Sequence, residues 1–165
     1  MALSWKAVDK LIFVVLYAGF ITLTLWGGSR VINYSLDSKF YKDFLLKWEV
    51  SLRAYSIKSG VWPRFSGSNH VEYMDNLTFL MGRSDISPPQ SNTRHSYVYR
   101  IKKIWGEEQD IFILCFSNRI ILYGISKDTF TRIDRFVDGR PGKEGGLFTG
   151  RHSKDGRTYI GLWRL

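Results

Sequence analysis

Between Leu11 and Ser29 the chain runs for 19 residues without a charged side chain, LIFVVLYAGFITLTLWGGS. As a helix rising 1.5 Å per residue, that stretch covers about 28 Å, the thickness of a bilayer's hydrocarbon core. A small domain rarely buries a helix on every side, so a core helix fits poorly. Leu11, Ile12, Phe13, Val14, Val15, Leu16, Phe20, Ile21, Leu23, Leu25 and Trp26 form the candidate membrane anchor. Lys6, Asp9 and Lys10 bound the run on one side and Arg30 on the other, with Trp5 and Trp26 near its ends, where interfacial aromatics concentrate. A cleaved signal peptide is the competing reading. The run is long for one, and Gly27-Gly28-Ser29 is the nearest approach to a cleavage pattern. A retained single span is expected. Lys6 and Lys10 face Arg30, Lys39 and Lys42 across it, so charge asymmetry does not set its orientation. The short N-terminal tail favours a cytoplasmic N-terminus with the remainder on the far side of the membrane.

Helical rhythm continues past the span. Tyr41, Leu45, Trp48, Leu52 and Tyr55 recur at three- and four-residue steps and form a helix packing face, with Lys39, Lys42, Asp43, Lys47, Glu49 and Arg53 around the remainder. Gly60 is a plausible stop, with Pro63 beyond it. Gly27-Gly28 weakens the helix where it leaves the bilayer, which permits a joint there. Anchor and helix read as one spine of about fifty residues. The expected division is residues 1–29 as tail and span and 30–165 as an α+β domain outside the cytoplasm.

After the turn around Pro63 and Gly67, Asn69 with Glu72 has the form of a capping box, followed by Tyr73, Met74, Leu77, Leu80 and Met81 at helical spacing. The second half is rich in β-branched and aromatic residues. Tyr97–Trp105, Asp110–Ser117, Arg119–Ser126 and Phe130–Val137 read as four strands whose short connections require an antiparallel meander, and Arg157–Leu165 as a final strand. The segment from Asp138 to Gly146 reads as a solvated glycine-rich loop, because it lacks the GxxxxGK[ST] order of a phosphate cradle and the carboxylates of a calcium loop.

The chain carries 24 Lys+Arg against 15 Asp+Glu, a formal charge of +9. The excess is spread along the chain and rises slightly near the end, where Arg151, Lys154 and Arg157 are candidate contacts for a polyanion. Cys115 is the only cysteine, so an intrachain disulfide and an all-cysteine zinc site are excluded. It reads as a small core residue, with no histidine or cation next to it in sequence. His70, His95 and His152 lie in unrelated polar surroundings, Glu107-Glu108 sits in a turn, and HExxH, GxSxG and CxxC are absent. No enzymatic activity, cofactor, metal or small-molecule substrate is expected.

An N-terminal membrane helix running into an amphipathic helix, then a loop and an antiparallel sheet, resembles type IV pilins and the pseudopilins of type II secretion. Leu45–Pro63 (LLKWEVSLRAYSIKSGVWP) is similar to the helix end of that family. Val71–Leu77 (VEYMDNL) is similar to its short second helix, and Ile133–Gly139 with Gly145-Gly146 to its Asp- and Gly-rich segment before the last strand. The family's processing site, a glycine before Phe-Thr-Leu and a nearby glutamate, has no counterpart. Ser4–Lys10 contains no glycine, and Asp9 is the only acid near the span. The resemblance implies a structural or assembly subunit of a secretion or filament system, with its single span in the inner membrane and its C-terminal domain periplasmic or extracellular, partnered by the membrane and by other pilin-like subunits. A different class, a sensing or binding domain on a single anchor that contacts an anionic polymer such as DNA or a carbohydrate, fits the basic, aromatic composition.

Overall fold

A computed structural model describes residues 5–139 and 146–165. Helix α1 (Trp5–Lys39), a π-helical turn (Phe40–Leu45) and α2 (Leu46–Lys58) follow one another without a break. Gly27 and Gly28 lie inside α1 and do not interrupt it; the helix departs from regularity only at Phe40–Leu45. Its buried residues explain why. Phe40, Phe44, Trp48 and Leu52 succeed one another at four-residue steps, and each step overshoots a 3.6-residue turn by about 40°. A wider turn takes up the surplus and keeps the rings on one face. The helix ends at Gly60, whose φ of +65° suits glycine and whose N–H reaches back to Tyr55 O at 3.3 Å.

Helix α3 (His70–Arg83) begins after Asn69, but the capping box does not form. Asn69 instead accepts from Ser66 N–H at 2.9 Å and donates to Arg64 O at 3.3 Å, closing the preceding turn.

Five strands, β1 (Val98–Lys102), β2 (Glu108–Phe116), β3 (Arg119–Ile125), β4 (Phe148–His152) and β5 (Tyr159–Arg164), form one sheet in the order β1-β2-β3-β5-β4. Every neighbouring pair is antiparallel, which makes the fold α+β. Only β1 to β3 form a meander. The fourth expected strand, Phe130–Val137, is instead most of helix α4 (Lys127–Asp138). Its apolar residues Phe130, Ile133, Phe136 and Val137 fall at i, i+3, i+6 and i+7, a helical spacing. Ser126 caps it by accepting from Thr129 N–H, and Gly139 ends it at φ +74°. Because α4 carries the chain across, β4 runs parallel to β3 with β5 between them. The first expected strand is also shorter, since Lys103–Glu107 forms a turn. Residues 140–145 of the glycine-rich loop lie outside the described residues. Asp138 at its start accepts from Leu147 N–H at 2.8 Å and Phe148 N–H at 3.0 Å, so its carboxylate opens β4.

The spine crosses one face of the sheet. Phe40 and Phe44 lie 5.0 and 4.8 Å from the Tyr99 ring, Tyr41 packs between Phe136 and Trp163, and Trp48 donates to Ser96 O at 3.2 Å. Leu45, Trp48, Leu52 and Tyr55 are buried and Tyr41 half-buried. Helix α3 covers the part of β2 that extends past β1, where Met74 Sδ accepts from Cys115 N–H at 3.3 Å. An otherwise open strand edge is closed there. Cys115 is fully buried, and burial pushes its thiol well above the usual range, which keeps it protonated and unreactive.

Candidate functional site

The spine passes from fully exposed to packed on one face between Ser29 and Phe40. The apolar window of the spine is 0% buried, and Phe13, Leu16, Phe20 and Leu23 each expose about two-thirds or more of their surface. Leu11, Ile12, Val14, Val15, Ile21, Leu25 and Trp26 are exposed as well. By length and composition this helix can cross a membrane. Packing starts at Ser29, which is buried, and within two turns the helix is fastened to the domain by polar groups.

Asn33 forms the first fastening. Its side chain pairs with both backbone groups of Ile104, accepting from N–H at 2.8 Å and donating to O at 3.2 Å. One turn further, Asp37 is completely buried. Oδ2 lies 2.6 Å from Arg132 Nη1 and 3.0 Å from Lys103 Nζ, and Oδ1 accepts from the Thr129 hydroxyl at 2.9 Å. Lys103 also donates to Thr129 Oγ1 at 2.7 Å. The turn after β1, helix α4 and the spine thus converge on one carboxylate. Such a group is tolerated in a protein interior only when fully partnered, and no buried side-chain polar atom among the described residues lacks a partner.

Beside this cluster lies a groove of about 690 Å³ between α1, the β1–β2 turn and the start of α4. Trp26, Arg30, Tyr34, Trp105, Lys127 and Arg135 line it, among others. Arg30 stacks over the Trp26 ring at 4.5 Å. Trp105 is 73% exposed and holds φ +57°, a conformation that costs a non-glycine residue roughly 1–3 kcal/mol.

The three candidate polyanion residues share the β4–β5 hairpin. Arg151 lies on β4, and Lys154 and Arg157 in the following turn, all exposed. Asp155 organises that turn by accepting from the Arg157 and Thr158 N–H groups, which hold its carboxyl below the usual range. Arg151 lines a groove of about 360 Å³ on the outer sheet face with Ile121, Tyr123 and Leu162, a groove that Lys154 and Arg157 do not line. The histidines stay apart: His70 sits among Phe65, Phe112 and Tyr123, His95 beside Tyr97, and His152 against Tyr159. Glu108 and Asp110 pair with Arg100 at 3.0 and 2.6 Å.

Sequence reasoning missed Asp37, Lys103, Thr129 and Arg132. The one available signal was an acid inside an otherwise apolar helical face, flanked by Leu36 and Phe40. No family model, curated protein or solved structure matches this chain.

Proposed function

We propose that the chain is a membrane-anchored, pilin-like assembly subunit of a secretion or filament system, with its span in the inner membrane and its domain periplasmic or extracellular. One observation carries this reading: a single helix is bare and apolar over its first half and is the packing core of an α+β domain over its second. No linker separates the two. The helix is therefore a rigid rod that transmits contacts made within the membrane to the sheet outside, as a pilin-like spine does. Val31, Val50 and Ile57 remain exposed beyond the span and extend an apolar surface for neighbouring subunits. Catalysis and cofactor binding have no part in this role.

The test is photo-crosslinking from Leu16, Val31, Val50 and Ile57 in native membranes, with intact-mass analysis of the extracted protein. Crosslinks to further copies or to pilin-like subunits are expected, on a chain that keeps its N-terminal span. Uncrosslinked monomer at all four positions would remove the assembly reading. A mass beginning at Val8 or after Gly28 would remove the retained anchor.

Arg151 beside Tyr123 in the outer groove favours a second reading, contact with an anionic polymer or carbohydrate. With only one of the three candidate cations lining that groove, DNA binding should be weak and should fall steeply with salt. Nanomolar affinity at physiological salt would place this reading first.

A further inference from the structure

The groove at the foot of the domain lies at a definable depth. Asn33 holds Ile104 four residues beyond Ser29, the end of the uncharged run. Four residues of helix rise about 6 Å, and the headgroup layer on each side of a bilayer is about 5–7 Å thick. With α1 spanning the membrane, as proposed above, the β1–β2 turn and its exposed Trp105 stand in the headgroup layer. Trp26 on the helix lines the same groove from below. Tryptophan favours that layer because its ring is apolar and its N–H polar.

The charges match the depth. Arg30, Lys127, Arg132 and Arg135 line the groove against a single carboxylate, Asp128. Arg132 is held by Asp37. Arg30, Lys127 and Arg135 have no ion-pair partner among the described residues. The strand register points the same way. The spine passes Ile104, then Tyr99, then Ser96 as it leaves the membrane, so β1 runs toward the bilayer. Successive antiparallel pairings then bring the β4–β5 turn, with Lys154 and Arg157, to the same end of the sheet.

We propose that this groove binds the phosphate headgroup of an anionic phospholipid in the leaflet from which α1 emerges. Arg30, Lys127 and Arg135 contact the phosphate, and Trp26 and Trp105 flank the glycerol region. The bound lipid sets the height and tilt at which the domain stands on the membrane. The inference rests on the membrane reading of α1, and the experiment separates the two.

Full-length protein in detergent is mixed with phosphatidylglycerol, with phosphatidylcholine, or with inorganic phosphate, and retained adducts are counted by native mass spectrometry. Phosphatidylglycerol should be retained in preference to phosphatidylcholine, and the preference should fall about fivefold for each cation replaced in R30Q, K127Q and R135Q. All three side chains are exposed, and the charge-keeping variants R30K and R135K should retain the preference. Equal retention of the two lipids, or a preference unchanged in the combined glutamine variant, overturns the site. Binding of inorganic phosphate as strong as that of the lipid overturns the lipid as its occupant. In parallel, wild-type membranes are washed with alkaline carbonate. Release of the chain overturns the membrane reading and this proposal together, whereas a resistant chain with no lipid preference overturns this proposal alone.

Discussion

Replacing Asp37 by alanine should destabilise the domain by about 3–5 kcal/mol, the usual consequence of removing one partner from a buried ionic cluster. The carboxylate is fully buried and is shared by Lys103, Arg132 and Thr129. Without it, the Lys103 side chain, itself only 8% exposed, is left as a positive charge in the interior beside a second one. Asp37→Asn keeps the shape and an acceptor for Thr129 but not the charge, so its cost should approach that of alanine. Replacing the cluster in one step, with Asp37→Leu, Lys103→Met and Arg132→Leu, should recover most of the loss, because no unpaired charge then remains. Denaturant unfolding of the full chain in micelles, followed by tryptophan fluorescence, measures all three. A loss below about 1 kcal/mol for Asp37→Ala would show that the cluster is solvated. The consequence extends beyond stability, since the same carboxylate joins the spine to α4 and to the turn carrying Trp105.

Trp48→Ala should cost a similar amount, about 3–5 kcal/mol, for a different reason. The side chain is completely buried at the contact between α2 and the sheet, and its Nε1–H bonds Ser96 O. Truncation leaves a cavity lined by side chains that cannot close over it, and an unmet carbonyl. Trp48→Phe retains most of the volume and loses the hydrogen bond, so about 1–2 kcal/mol is expected. Val50, two residues on and 66% exposed, is the internal control: Val50→Ala should change stability by less than about 0.5 kcal/mol. The same unfolding experiment reads all three, and equal effects at positions 48 and 50 would place the packing face elsewhere.

The parts of this fold legible in the sequence are those whose signal is local. The spine is written in an uncharged run of bilayer length, then in apolar residues at helical steps, then in a glycine that stops the helix. Strands β1 to β3 are written in β-branched and aromatic runs with turns too short for anything but hairpins. Helix α4 was ambiguous at that level, because Phe130–Val137 combines β-branched residues with a spacing that also suits a helix. Tertiary packing decided it: Phe130 meets Phe148 and Tyr159 on the sheet, while Phe136 meets Tyr34 and Tyr41 on the spine. A strand would point Phe130 and Phe136 to one face and Ile133, three residues from each, to the other, whereas the helix turns all three inward and buries Ile133 completely. Strand β4 gave little warning because its middle residue is glycine, and the need for that glycine is set by a neighbour. A Cβ on Gly150 would stand 2.3 Å from the Phe130 ring. Most of all, the fastening of helix to domain joins residues 37, 103, 129 and 132, a separation that no short motif spans. In the sequence Asp37 is one acid among the charges flanking a helix. Only when α4 and the β1–β2 turn close over the spine does burial strip it of water, and two cations become its replacement for solvent.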